Sequence, residues 1–337
     1  MKGETTKTII LGAPKHFGID KMVERELIYQ GFDVVNISFF DNVFEYKNLG
    51  EWLRIKWGGK KYSKKNVLFK RSQQKINRRL GQLENTADYA LIIRPDAFPK
   101  NFIKALRTKA DILIAYQWDA MQRFPKTYGY IDFFDRFFVF DPQDKGMAKT
   151  LETSNFYPVS YTELANRNTE RGTDLYYWGN YSSDRKAILL SLIRFCEAHN
   201  MHYDIHLHRR RFAFFMKDNI VTNEAISFEE NLTRSFNSKV LIDLAPPEQY
   251  GLSFRVFEAL GFQKKLITNN HTITEYDFYH PDNVFIYGKD EMENLKYFLE
   301  KPYVPISEEI RQKYSFRNWI HYITDENPYV KINLPEG

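Results

Sequence analysis

The sequence predicts an α/β protein made of two doubly wound parallel-sheet domains in tandem. Three observations carry that expectation. Short apolar runs alternate with stretches of helical spacing, the pattern of a parallel sheet covered on both faces. The alternation occurs twice, on either side of the polar stretch 162–174. The chain has 337 residues, enough for two domains at about 100–200 residues each.

Residues 7–13 read as a buried strand ending near Gly12. Residues 20–30 place Met22, Val23, Leu27 and Ile28 on one helical side, and Gly31 follows as a left-handed cap. Residues 33–38 are a second strand, completing a β-α-β unit. Strands are then expected within 90–95, 111–119 and 133–141, with a helix over 100–108. Residues 1–160 form the first Rossmann-like domain, and 161–174 a polar linker. A second series follows: strand 175–179, helix 184–199, strand 203–208, short helix 228–235, strand 239–244, helix 253–261, and strands 265–268 and 284–287. These make a second Rossmann-like domain, 175–306, with 307–337 as a closing helix and tail. Each such sheet has a ligand crevice at the carboxyl ends of its strands. Two of them facing across a cleft suit a transferase that holds a donor in one half and an acceptor in the other.

Composition narrows the function. Hydrophobic residues are 43% and charged residues 27%, so the chain can bury sizeable cores and is not disordered as a whole. The single cysteine, Cys196, excludes an intrachain disulfide framework and a multi-cysteine metal site. It is expected to pack, and the scarcity of cysteine suits a reducing cytoplasm. No apolar run reaches the roughly 18 residues of a membrane span, and the amino terminus lacks the apolar core of a signal peptide. The net charge of +5 is concentrated in one place. Residues 51–80 contain Arg54, Lys56, Lys60, Lys61, Lys64, Lys65, Lys70, Arg71, Lys75, Arg78 and Arg79 against Glu51 alone. Without this segment the chain is acidic. Trp52, Trp57, Tyr62 and Phe69 are interleaved with the basic residues, which fits a surface meeting anionic lipid headgroups or a lipid-diphosphate acceptor. A solvated amphipathic helix comes next, and nucleic acid last.

The loop Gly12-Ala-Pro-Lys-His-Phe-Gly18 matches neither a P-loop nor a dinucleotide fingerprint. It either brings Lys15 or His16 to a ligand or is an ordinary strand-to-helix turn. Asp119 ends a strand, where a carboxylate can act as general base for an acceptor hydroxyl, cap a helix, or hold an ion pair. Around Gly179, Asn180 and Arg185, the start of a helix would favour an anion such as a diphosphate, while Ser182, Ser183 or Asp184 would cap it. His206 and His208 share one strand face; with no third acidic ligand near in sequence, they read as strand-end histidines beside the basic run Arg209–Arg211, and no metal site is expected. The most informative stretch is Gly251-Leu252-Ser253-Phe-Arg255-Val-Phe-Glu258-Ala-Leu-Gly261. Arg255 and Glu258 are three apart on one helical face. A cation beside the positive helix end is explained by a bound phosphate, and Glu258 could take a ribose diol or pair with Arg255.

This stretch resembles the donor site of GT-B glycosyltransferases, in which a Gly-Leu turn leads into a helix carrying Glu-Ala. The chain also resembles bacterial glycosyltransferases encoded with capsule and lipopolysaccharide genes, through Trp118-Asp119, Phe140-Asp141-Pro142 and the 179–185 segment. The resemblance runs through most of 85–290. It implies that Gly179, Asn180, Arg185, Gly251, Leu252, Ser253, Arg255 and Glu258 hold the nucleotide diphosphate and ribose, and that Asp119 and His16 lie on the acceptor side. It implies a nucleotide-sugar co-substrate, no other cofactor, and no metal requirement. The Glu-x7-Glu pattern of retaining members is not kept, since Tyr250 stands eight residues before Glu258.

The expected function is therefore transfer of a sugar from a nucleotide sugar to a surface glycan, capsule or lipopolysaccharide, free or lipid-linked. The place is the cytoplasm, peripherally at the inner membrane face. The alternatives are a non-catalytic two-domain module binding a sugar, a nucleotide or nucleic acid, and a sugar epimerase of the same architecture.

Overall fold

The computed structural model describes residues 6–15, 18–41, 46–58, 64–161, 172–209 and 219–336. By internal contact the chain divides into two units, Met1–Ser154 with Ile320–Gly337, and Asn155–Trp319.

The first unit holds a six-stranded sheet: β1 (Thr8–Gly12), β2 (Asp33–Asn36), β3 (Ala87–Ile93), β4 (Ala110–Gln117), β5 (Arg136–Val139) and β6 (Leu151–Glu152). The order is β2-β1-β3-β4-β5-β6, and every neighbouring pair is parallel. Ile9, Ile10 and Leu11 are fully buried, as a strand covered on both faces requires. Helix α1 (Ile19–Tyr29) is closed by Gly31 at φ 89°, the left-handed residue expected there. Helices α2 (Leu49–Trp57) and α3 (Lys64–Leu80) occupy the basic segment, and α4 (Lys100–Leu106) follows β3. The basic segment is thus two helices. One face of α3 is core: Phe69, Ile76 and Leu80 are buried, and Phe69 meets Phe39 and Phe102 edge-on at 5.0 and 4.9 Å.

The second unit repeats the architecture with β7 (Leu175–Asn180), β8 (Tyr203–His208), β9 (Val221–Thr222), β10 (Val240–Asp243), β11 (Lys265–Thr268) and β12 (Val284–Ile286). The order is β9-β8-β7-β10-β11-β12, again all parallel. Counted within the unit this is 3-2-1-4-5-6, the dinucleotide-fold order, whose reversal between β7 and β10 makes the ligand crevice. Its helices include α5 (Ser183–Ala198), α6 (Phe228–Asn237), α7 (Phe254–Gly261) and α8 (Leu295–Glu300). Cys196 is fully buried in this core, with its thiol pushed up to about 11 chiefly by burial, so it packs as expected. The two parallel α/β sheets, each flanked by helices, are the tandem Rossmann-like domains the sequence predicts.

Residues 307–324, expected to be helical, hold α9 (Glu308–Lys313) and α10 (Phe316–Thr324), and the closing segment is divided between the units within α10. Phe316, Trp319, Ile320 and Ile323 are all fully buried. Beyond α10 the chain returns to the first unit. Arg136 donates to the Ile323 carbonyl at 3.1 Å, and Leu334 N–H donates to Glu152 at 2.9 Å. Of the expected linker, 162–171 lies outside the described residues.

Candidate functional site

The second sheet opens at its reversal. Strand β7 pairs with β8 through all six of its residues, from Leu175 with Tyr203 to Asn180 with His208. With β10 it pairs only at Leu175–Val240 and Tyr176–Leu241. Beyond those pairs the strands separate, leaving carbonyls on both sides without ladder partners. Two arginines fill the gap. Arg255 donates to Trp178 O at 2.8 Å and Ile242 O at 3.2 Å. Arg185 donates to Asn180 O at 3.2 Å and Leu244 O at 3.0 Å. Arg255 also donates to Asn231 Oδ1 at 3.2 Å, an oxygen that accepts the Tyr176 hydroxyl at 3.0 Å. The Arg255 Nε is buried without a hydrogen-bond partner. Two cations therefore sit at the carboxyl ends of the central strands.

Each arginine belongs to the first turn of a helix. Ser182 caps α5 and its hydroxyl accepts Arg185 N–H at 3.3 Å; Ser253 caps α7 and accepts Arg255 N–H at 3.1 Å. The Ser253 hydroxyl also donates to the buried carboxylate of Asp243 at 2.6 Å, fastening the α7 start to the end of β10. Two helix amino termini and two guanidiniums converge on one crevice. All carry positive or partly positive charge, which is the chemistry of an anion site.

The neighbouring residues hold this arrangement. Gly179 leaves no room for a side chain, since a Cβ there would come within 2.4 Å of the Tyr177 hydroxyl. Leu252 is buried, and its carbonyl accepts Asn155 Nδ2 at 2.9 Å. Gly251 O accepts Gln249 Nε2 at 3.1 Å. The Pro-Pro loop is strapped from β11's far end: Asn269 exchanges two hydrogen bonds with Ala245, and Asn270 and Thr272 donate to Tyr250 O. Asn180 is exposed at the crevice.

Glu258 is placed differently from the expectation. Its side chain is 2% exposed, and Ser235 on α6 donates to it at 3.2 Å. It lies in the interior between two helices, where burial pushes its carboxyl above the usual range against the nearby Arg255 charge. Arg255 turns to backbone carbonyls and Asn231 instead.

Beside the crevice, Trp178 stands 4.7 Å from the His206 ring and 5.2 Å from the Arg234 guanidinium. Asp204 accepts from Arg234 at 3.1 Å and lies 2.9 Å from His206 Nε2. Burial opposes its charge, but the hydrogen bond from His206 and the Arg234 cation prevail and hold its carboxyl low. His208 Nδ1 donates to Glu224 O at 2.7 Å. Among the described residues no three metal-ligating side chains come together. Arg209 lies over the Tyr181 ring at 4.7 Å; Arg210 and Arg211 lie outside the described residues. Asn231 was missed because a lone asparagine carries no spacing signal.

In the first unit the order reverses between β1 and β3, and Arg94 follows β3 in the left-handed region, φ 56°. Its guanidinium binds Asp96 at 2.8 Å and Asp119 at 2.7 Å, and rests 3.6 Å over the Phe124 ring. The other Asp119 oxygen is 3.5 Å from Arg123. Asp119 thus reaches the carboxyl edge of this sheet as the centre of an ion-pair cluster. Asp141, of the Phe-Asp-Pro motif, is fully buried and caps the following turn by accepting Gln143 N–H at 3.0 Å. His16 lies outside the described residues.

The basic segment exposes a second feature. Helix α2 buries none of its residues. Leu49, Leu53 and Trp57, spaced four apart, are 73%, 44% and 76% exposed. Lys47, Arg54 and Lys56 around them, and Lys70, Lys75 and Arg78 on α3, are exposed as well. Among the described residues no helix is long and apolar enough to cross a membrane.

No family model matches the chain, and no curated protein matches it. Solved structures do. One is the glycotransferase of kitacinnamycin, 9% identical, with 89% of this chain and 92% of that one covered at a TM-score of 0.44. A second is an α1,3-fucosyltransferase, 9% identical, with 99% and 86% covered at 0.43. A third is Arabidopsis thaliana UGT89C1 complexed with UDP, 7% identical, with 89% and 91% covered at 0.42. At these identities and scores the likeness is one of general chain path.

Proposed function

We propose that the chain is a GT-B glycosyltransferase that moves a sugar from a nucleotide sugar to a surface glycan. The observation that supports this most is the crevice of the second sheet, where Arg185, Arg255 and two capped helix starts surround the reversal of strand order. A diphosphate there would meet fixed positive charge. In the reaction the bond between the sugar's anomeric carbon and the diphosphate breaks, and the diphosphate keeps the electron pair. A bond to the acceptor oxygen forms, and the acceptor proton passes to a base. Guanidiniums and helix ends already in place stabilise the leaving charge with little reorganisation, so the step as proposed needs no metal.

Asp119 and His16 are the proposed bases on the acceptor side. For Asp119 the role requires that acceptor binding release one carboxylate oxygen from Arg94 or Arg123. The proposed acceptor is a glycan on a lipid carrier. Support comes from the exposed Leu49, Leu53 and Trp57 stripe amid basic residues, the makeup of a helix lying in an anionic lipid interface. The proposed location is the cytoplasmic membrane face, and capsule or lipopolysaccharide assembly is the process proposed.

The test is a thermal-shift panel of UDP, GDP, CMP, dTDP and ADP with their common sugars. A ligand at about 100 times its Kd adds roughly 2.7 kcal/mol. One nucleotide should raise Tm selectively, and Arg255→Ala should abolish the shift. A folded sample that responds to none of them contradicts the proposal.

A further inference from the structure

The second unit carries another cationic cavity, at the opposite edge of its sheet. It has a volume of about 700 Å³, and its lining includes Lys239, Lys264, Lys265, Lys296 and Lys301. Lys239 precedes β10 and Lys265 opens β11, so the cavity lies at the amino ends of the strands. The strands are four to six residues long, which separates it from the crevice by about 13–20 Å.

Three of the five lysines have carboxylate partners. Lys239 is 2.7 Å from Asp174, Lys301 pairs with Asp282, and Lys296 is 3.9 Å from Glu300. Lys264 and Lys265 are held otherwise. Lys264 lies 5.1 Å over the Phe236 ring, and Lys265 is buried and donates to the Phe298 carbonyl. Burial pushes both ammonium groups below the usual lysine range. Positive charge next to helix carboxyl ends is ordinary and accounts for one or two of these residues. Five lysines line one cavity against the carboxylates of Asp174 and Glu300, with Asp282 shared between Lys301 and Lys265; that excess of positive charge, two of its members desolvated, is costly unless an anion joins it.

We propose that this cavity binds a small soluble anion bearing two or more phosphate groups, independently of the nucleotide crevice. The chain would then hold two separate phosphate sites, one at each edge of the second sheet.

The experiment is titration calorimetry of the full chain with tripolyphosphate. The wild type is compared with Lys264→Gln/Lys296→Gln and with Arg255→Ala. The proposal requires a binding event that weakens at least tenfold in the lysine variant and persists in Arg255→Ala. If Lys264→Gln does not fold, Lys296→Glu, at a side chain 60% exposed, must give the same loss. Absence of binding to the wild type, or binding that disappears only in Arg255→Ala, overturns it. Sedimentation with phosphatidylcholine vesicles containing phosphatidic acid distinguishes the source. A lysine-dependent loss of vesicle binding would assign the cavity to a lipid headgroup and overturn a soluble ligand.

Discussion

Arg185 and Arg255 tie the same two strands together, two residues apart. Arg255 joins Trp178 to Ile242, and Arg185 joins Asn180 to Leu244. They continue, with side chains, a ladder whose main-chain pairs stop at Tyr176 and Leu241. The same groups that hold the crevice open also give it positive charge.

Stability and ligand affinity should therefore fall together at these positions. Arg255→Ala leaves several acceptors unpaired and should cost about 2–3 kcal/mol, with Arg185→Ala nearer 1–2 kcal/mol. Urea unfolding measures both. Arg255→Lys keeps the charge but not the fork, and should recover part of the nucleotide affinity while remaining destabilised.

Glu258 gives a sharper contrast. Burial raises its carboxyl pKa in the folded state. Folding then takes up a proton, and stability falls as pH rises from the ordinary carboxylate range through the raised folded value. Glu258→Gln should remove that slope and raise Tm at pH 7. Nucleotide affinity should stay within about twofold if the carboxylate remains between α6 and α7 as observed. A tenfold loss of affinity with the fold intact would return Glu258 to the ribose role that the sequence suggested.

Asp144 offers a pH test away from the crevice. It is 4% exposed and accepts Met121 N–H at 2.8 Å, and burial pushes its carboxyl up to about 6. Its folded pKa exceeds the unfolded one, so its contribution is greatest below about pH 4 and is lost as pH rises through 6. At about 1.4 kcal/mol per pKa unit, the change is roughly 2–3 kcal/mol. Asp144→Asn should flatten chemical-denaturation stability between pH 4 and 6.

Much of the fold was legible because short buried strands and spaced helices leave periodic traces. Strands 203–208 and 265–268 fall where the apolar runs place them. Leu151–Glu152 and Val221–Thr222 have two residues each, too few to show a period. The closing helix was legible from its apolar spacing, but such spacing shows burial and not against which unit. At the crevice, the Ser182 cap was among the readings of its helix start, and Arg185 and Arg255 were both named as site residues through the resemblance. The carbonyls these arginines serve were not legible, since a strand separation leaves no residue code. Glu258 shares a helical face with Arg255, but which side of a helix a neighbour covers is decided by tertiary packing.

The exposed stripe on α2 predicts lipid binding. Leu53→Glu with Trp57→Ala should reduce sedimentation with phosphatidylglycerol vesicles at least tenfold, and Tm should hold because α2 buries none of its residues. Neutral vesicles should bind weakly throughout. Equal binding by the variant, or binding indifferent to vesicle charge, would contradict the membrane face.

The central claim is sugar transfer from a nucleotide at the Arg185–Arg255 crevice. Its most direct test is release of nucleotide from a panel of nucleotide sugars without acceptor, by the wild type and by Arg255→Ala. The account predicts slow hydrolysis of one donor, reduced about 10²–10³-fold in the variant. Hydrolysis of none by a folded wild type, or of one at an unchanged rate in Arg255→Ala, would contradict it.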